Sequence, residues 1–292
     1  MSAGAPAPPG TLYVVATPIG NLEDLTFRAL RILKEVALVA AEDTRHSRKL
    51  FQHYGIATPL TSCHAHNETA KVEALLTRLQ QGDSIALISD AGTPAICDPG
   101  FVLVRECRLR GLAVVAVPGP SALTAALSIA GLPVDRFAFE GFLPAKAGAR
   151  RDLLRALRDE ARTLVFYEAP HRLPATLAVI LEEFGPERQV AVARELSKIH
   201  EELFRGSAAA ALQHFDRDRV RGEIVLLVAP GAPPLRQETI REALLRRRRD
   251  SDLPMKEIVK QVAREFGLPG SEVYRESLAL RRDEMGGNGH GG

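Results

Sequence analysis

Three short aliphatic runs in this 292-residue chain each stop at a loop of glycine, proline and small polar residues. Leu12 to Thr17 leads into Pro18-Ile19-Gly20-Asn21, Ser84 to Ser89 into Asp90-Ala91-Gly92-Thr93-Pro94, and Ala113 to Val117 into Pro118-Gly119-Pro120-Ser121-Ala122. Glycine lets a ligand approach the main chain, and unpaired amide and carbonyl groups can grip an adenosine, a ribose or a carboxylate. One such turn is ordinary strand-to-helix punctuation. Three in succession point to a shared cleft at the carboxyl ends of a sheet. None is a Gly-x-Gly-x-x-Gly fingerprint, and the chain has no Gly-x-x-x-x-Gly-Lys-Ser/Thr, which disfavours a nicotinamide enzyme or an ATPase.

Two polar clusters could manage a proton or a phosphate beside that cleft. In Glu42-Asp43-Thr44-Arg45, Asp43 or Thr44 is expected to cap a helix, leaving Glu42 or Asp43 to face a substrate. Arg45 and Arg48 lie three apart and can hold a phosphate from one helical face. The second cluster runs Arg194-Glu195-Leu196-Ser197-Lys198-Ile199-His200-Glu201. It reads either as a solvated hairpin or as a source of a base. Lys198 could act as base if desolvation removed its proton, and His200 or Glu201 could do so with less perturbation; the residues do not choose among them. Cys63-His64-Ala65-His66 lacks a third ligand for zinc, so no metal is expected and His64 reads as part of a substrate-facing loop. His171 and Arg172, after Pro170 at a helix start, suit a phosphate or a cap equally.

These loops need strands and helices to hold them. Apolar runs at Leu12 to Thr17, Ala37 to Ala41, Ser84 to Ser89 and Ala113 to Val117 alternate with helical periodicity at Leu25 to Glu35, Thr44 to Tyr54, Glu68 to Gln81 and Gly100 to Arg110. That alternation predicts an α/β unit with a mainly parallel sheet over residues 11–131, buried on both faces. A second series predicts strands at Arg136 to Phe142, Thr163 to Tyr167, Gln189 to Ala193, Glu202 to Gly206 and Glu223 to Ala229. Short connections between several of them imply a mixed sheet over 132–230, with helices at Ala149 to Ala161, Arg172 to Phe184 and Ser207 to His214. Pro230 to Pro234 reads as a linker to a small three-helix module, helix-turn-helix-like, over 235–285. Residues 1–10 and 286–292 read as disordered tails.

Composition narrows the setting. The apolar runs are far shorter than the roughly 20 residues that span a bilayer, no signal-peptide pattern opens the chain, and three scattered cysteines make no disulfide framework. A cytoplasmic protein with no membrane partner is the expectation. Net charge is only +2, yet Lys146, Arg150, Arg151, Arg155 and Arg158 against Asp152 leave a local excess of +4, enough for a phosphate-facing patch.

The ordered set Ala16-Thr17-Pro18-Ile19-Gly20-Asn21-Leu22, Ala41-Glu42-Asp43-Thr44-Arg45, Ser89-Asp90-Ala91-Gly92-Thr93-Pro94, Val117-Pro118-Gly119-Pro120-Ser121-Ala122 and Tyr167-Glu168-Ala169-Pro170-His171-Arg172 resembles the RNA-modifying branch of the tetrapyrrole methylase family. The likeness runs from about Leu12 to Pro230. It implies a two-domain tetrapyrrole-methylase-like fold, a homodimer, S-adenosylmethionine as cofactor, and 2′-O-methylation of a cytidine in the decoding region of 16S rRNA, in the small ribosomal subunit. Position by position, it implies cofactor contacts at Pro18, Ile19, Gly20, Asn21, Asp90, Ala91, Gly92, Thr93, Pro94, Ser121 and Ala122. Tyr167, Glu168, Gly222, Glu223 and Ile224 would close the cleft from the second domain. Small-molecule members carry a Gly-Pro-Gly-type first loop where this chain has Thr17 to Asn21, which favours RNA over a macrocycle. RNA contacts are then expected at Arg45, Arg48, His64, Lys146, Arg150, Arg151, His171, Arg172 and Arg194. The transfer is an in-line displacement in which a base, or a cation that steadies the developing alkoxide, would help. Glu42, Asp43, Lys198, His200 and Glu201 are the catalytic candidates. The alternatives are a methyltransferase for a small molecule such as a tetrapyrrole, and a non-enzymatic RNA-binding assembly factor.

Overall fold

The computed structural model describes residues 8–64, 68–216, 220–231, 238–251 and 253–286. The chain divides into two compact units, Met1–Gly231 and Ala232–Gly292. Expectations for the N-terminal tail up to residue 7, for His66, for most of the 230–234 linker and for the tail beyond 286 lie outside the described residues. Gly10, expected in the tail, is instead buried, and its amide donates to the Leu79 carbonyl at 2.7 Å.

Five strands, β1 (Thr11–Val15), β2 (Leu38–Ala41), β3 (Leu60–Ser62), β4 (Ile85–Ile88) and β5 (Ala113–Val117), form a parallel sheet in the order β3-β2-β4-β1-β5. Side chains alternate across a strand. Leu38, Ala40, Ile85 and Leu87 therefore face α3 (Glu68–Gln80) and α4 (Phe101–Leu109), while Val39, Ala41, Ala86 and Ile88 face α1 (Phe27–Glu35) and α2 (Thr44–Tyr54). Both faces are covered at the inner strands β2 and β4, every residue of which is buried, which is why those strands read as unbroken aliphatic runs. Thr26 caps α1, its hydroxyl accepting from the Ala29 amide at 3.1 Å, and Asp43 caps α2 through the Arg45 amide at 2.8 Å. Because all five strands point the same way, every strand-end loop falls on one edge of the sheet.

The second sheet, β6 (Phe137–Phe142), β7 (Thr163–Glu168), β8 (Gln189–Arg194), β9 (Glu202–Ser207) and β10 (Ile224–Val228), has the order β6-β7-β10-β8-β9. β6 and β7 run parallel and the remaining pairs antiparallel, so the sheet is mixed. One face, including Leu164, Phe166, Val190, Val192 and Leu226, packs on α6 (Ala147–Ala156), α7 (Leu173–Phe184) and α8 (Ala208–Phe215). The opposite face, Val165, Ala191, Ala193, Val225 and Leu227, packs on Ala126 and Leu127 of α5 (Ala122–Ile129).

α5 and β3 are the elements that the sequence pattern does not announce. Ala122 to Ile129 is short and mostly apolar, with only Thr124 and Ser128 to mark its exposed side, while Ala126 and Leu127 pack on the second sheet and its N-terminus continues the β5 loop. β3 is three residues on a sheet edge, too short to show an alternation. α6 ends at Ala156, earlier than the periodicity suggests, where Leu157 closes the last turn.

The second unit holds α9 (Ile240–Asp250), α10 (Met255–Phe266) and α11 (Gly270–Gly286) around Ala243, Leu244, Ile258, Val259, Val262, Val273 and Leu280. Thr239 and Glu242 form a reciprocal capping box on α9, and Gly267, left-handed at φ +64°, ends α10.

Candidate active site

The β1 and β4 loops are stitched together before any ligand is considered. Thr17 and Gly92 exchange backbone hydrogen bonds of 2.9 and 3.0 Å, and the Thr17 hydroxyl donates to the Ser89 carbonyl at 3.1 Å. Gly92 holds φ +77°, a left-handed conformation that admits glycine readily. Beside them the Asp90 carboxylate accepts from the Asp43 amide at 3.0 Å, tying β4's end to the start of α2. The strand ends therefore form one fixed ledge.

That ledge floors a cavity of about 350 Å³. Ile19, Glu42, Asp90, Ala91, Gly92, Thr93, Ile96, Asp98, Ser121 and Ala122 come from the parallel-sheet side. Phe142, Tyr167, Glu168, Ala169, Pro170, Leu196, Gly222, Glu223, Ile224 and Val225 roof it from the mixed-sheet side. The roof is braced at Glu168, whose buried carboxylate accepts from the Thr176 hydroxyl at 2.6 Å and the Ala169 amide at 2.8 Å, and pairs with Arg172 at 3.0 Å. Tyr167 stands edge-on to Phe139 with ring centroids 4.9 Å apart, and burial pushes its phenol up.

Three carboxylates lie in the floor. Burial, then the neighbouring Asp98, pushes the Glu42 carboxyl above its ordinary value. Asp98 is itself raised, first by burial and also by Asp90, although a hydrogen bond with Ser89 works the other way. This concentration of negative charge between apolar walls of Ile19, Ile96, Leu196 and Val225 suits a ligand that is cationic and partly hydrophobic. S-adenosylmethionine has that character: a sulfonium and an ammonium, ribose hydroxyls that donate to carboxylates, and a flat adenine. The residues present fit it.

The structure divides the sequence-derived candidates. Ile19, Asp90, Ala91, Gly92, Thr93, Ser121, Ala122, Tyr167, Glu168, Gly222, Glu223 and Ile224 line this cavity, and so does Glu42; Pro18, Gly20, Asn21 and Pro94 do not. Gly20 and Asn21 instead border a second, more open groove of about 620 Å³ with Leu22, Glu23, His53, Glu195, Ser197, Lys198, Ile199 and His200. Asp43 is spent on capping α2 and binding Arg45, whose guanidinium holds its carboxyl down at about 2. Glu201 accepts from the Ser197 amide at 2.6 Å.

Lys198 is corrected as a neutral base. Burial pulls its pKa down, but ion pairs with Glu195 at 2.9 Å and Glu223 at 3.0 Å outweigh that, and the ammonium is held charged. Among the arginines expected to meet RNA, Arg150 is corrected: it is buried in the α6 interface. Arg172 is corrected too, because its guanidinium braces Glu168 and donates to the Leu143 carbonyl at 2.5 Å. Arg194 pairs with Glu202 at 2.6 Å and Arg151 with Glu182 at 2.7 Å, whereas Arg48, Lys146 and His171 are exposed and His64 is half-buried.

Sequence reasoning missed Ile96, Asp98, Phe142, Leu196 and Val225 as lining residues. Cys97-Asp98-Pro99-Gly100 carried a turn signal directly after the Asp90 loop, which was the available clue to Asp98. The others point inward only because two sheets meet.

The fold and the carboxylate-floored cavity together describe a nucleoside-binding transferase, and comparison with known sequences agrees. The profile of the Tetrapyrrole (Corrin/Porphyrin) Methylases matches residues 11–212. The chain belongs to the tetrapyrrole methylase family and is an S-adenosylmethionine-dependent methyltransferase. Within that family it is 53% identical, over 92% of its length and 97% of the relative's, to the Ribosomal RNA small subunit methyltransferase I of Pseudomonas aeruginosa. It is 47% identical to the protein of the same name in Escherichia coli O157:H7, over 92% and 95% of the two chains. Among solved structures, uroporphyrin-III-C-methyltransferase from Thermus thermophilus matches with TM-score 0.55 and 24% identity over 75% of this chain and 94% of that one. Diphthine synthase matches with TM-score 0.58 and 12% identity over 75% and 89%. Those two share the fold.

Proposed function

We propose that this enzyme methylates small-subunit ribosomal RNA, on the ribose 2′ oxygen of a cytidine in the decoding region of 16S rRNA. The observation that carries the reading is near-full-length identity of 53% to a relative named for small-subunit ribosomal RNA, joined to a cavity with an acidic floor whose lining loops also border a polar groove. When bound, S-adenosylmethionine supplies the electrophilic methyl group. The protein's share is alignment and charge. Glu42, Asp90 and Asp98 fix the cationic end against the ledge, and Tyr167 and Leu196 keep water out from above. Lys198, charged and at the cavity edge through Glu223, steadies the alkoxide that develops as the ribose proton leaves. Glu42, with its raised carboxyl, is the acceptor for that proton.

A homodimer working on the small ribosomal subunit in the cytoplasm completes the reading; the family resemblance supports it, and among the described residues no helix is long and apolar enough to cross a membrane. Incubation with tritiated S-adenosylmethionine and undermethylated small subunits should place label on a ribose. Label on a base, or labelling of a tetrapyrrole in preference to RNA, overturns the proposal.

A further inference from the structure

We propose that the open groove beside the cavity, walled by Asn21, His53 and the Lys198–His200 tip, is the track for the single-stranded RNA that flanks the target nucleotide. This rests on the RNA reading above and assigns it a surface. Two loops serve both spaces by alternation: Ile19 and Leu196 turn into the cavity, while their neighbours Gly20, Asn21, Glu195 and Ser197 turn into the groove. The groove thus lies next to the cavity across those two loops, where the strand flanking a nucleotide held in the cavity would lie.

The groove's far wall is a built feature. Glu195 and Ser197 hold left-handed backbone at φ +53° and +66°, a strained state for residues with side chains. It is tied down on several sides: the Ser197 hydroxyl donates to the Asp24 carboxylate, its amide to Glu201, and Lys198 reaches Glu195 and Glu223. Gly20 has no room for a Cβ because the Lys198 stem lies across it, and at Gly222 a Cβ would strike the Glu195 carboxylate. The outcome of this fastening is that Ile199, 97% exposed, is presented to water on a fixed tip beside exposed His200. The fold gains nothing from that placement, whereas an unstacked base would cover it.

Charge points the same way. Glu195 is consumed by Lys198, leaving Glu23 as the remaining acid in the groove wall. The opposite wall is the C-terminal turn of α2, where His53 follows Lys49 and Arg45 at helical spacing, all exposed, with Arg48 alongside. α2 begins at Thr44, two residues after Glu42 of the cavity, and carries His53 of the groove in its last turn, so the exposed Arg48 and Lys49 lie along the helix between the two.

The test compares wild type with Ile199→Ser, His53→Ala/His200→Ala and Lys49→Glu, all surface changes whose folding is checked by thermal melting. Methylation of undermethylated small subunits is measured as KM and kcat, with calorimetry for S-adenosylmethionine and anisotropy for a fluorescein-labelled single-stranded oligoribonucleotide. Each variant should raise KM and weaken the oligonucleotide about tenfold, the loss of one base or phosphate contact, with cofactor affinity unchanged. Wild-type KM and oligonucleotide affinity in all three variants overturn the groove while leaving the RNA reading intact. A wild-type enzyme that binds cofactor but methylates no RNA sinks both.

Discussion

The two sheets contribute to one cavity by different physical routes. The parallel sheet delivers four of its strand-end loops to a single edge because every strand runs the same way; Ile19, Glu42, Asp90 and Ser121 are neighbours as a consequence of topology. The mixed sheet has no such edge. Its contributions come from the ends of the parallel pair β6 and β7, the start of β10 and the β8–β9 connection, and β10 brings its start beside the ends of β7 and β8 because it pairs antiparallel with both. Tyr167 lies opposite Val225, and Arg194 opposite Ile224, so the roof is assembled across strands far apart in sequence. The floor carries the three-carboxylate ledge, and the roof carries packing around two carboxylates, Glu168 and Glu223, each paired with a cation, Arg172 and Lys198. α5 joins floor and roof, leaving the β5 loop and packing on the second sheet.

The largest expected effect breaks or confirms that joining. Phe166 is fully buried in the mixed sheet, and Phe166→Ala should cost about 3–5 kcal/mol in urea unfolding. Residues up to Gly231 form one compact unit, so a single transition shifted to lower urea is expected for that unit. A roof that melts separately would show floor and roof to be independent.

Next comes the division of labour in binding. Asp90→Ala removes a carboxylate that also fixes the α2 start and should weaken S-adenosylmethionine about 10–100-fold by calorimetry, the range for a charge-assisted contact. Glu223→Ala, on an exposed roof carboxylate, should change it by less than about threefold. Equal losses would erase the distinction.

The smallest effect concerns the floor's charge. The Glu42 carboxyl is raised in the folded state, so the folded protein binds a proton more tightly than the unfolded chain does, and stability from this group falls as pH rises through its raised pKa. Glu42→Gln should therefore be modestly more stable than wild type near neutrality, with the gain shrinking in acid, while methyl transfer slows. A gain that persists at low pH would remove burial of the charge as its cause.

Much of the floor was readable beforehand. The aliphatic runs, the glycine and proline that stop them, and the Asp43 cap are local properties, and a parallel α/β pattern leaves one place for the loops to go. The roof was readable only through family likeness. Leu196 and Val225 carry no local mark of their inward direction, and Arg150 and Arg172 looked like surface cations until packing enclosed one and Glu168 engaged the other. Lys198 was ambiguous for a related reason: desolvation and ion pairing push its pKa in opposite directions, and only the positions of Glu195 and Glu223 decide which prevails.

The chain alone determined its strand and helix pattern, its capping, its loop chemistry and its family, because those depend on neighbours a few residues apart. Tertiary structure decided which polar groups are spent on holding the fold and which face a ligand. Burial and pairing energies are set by partners brought close in space, and no spacing along the sequence records them.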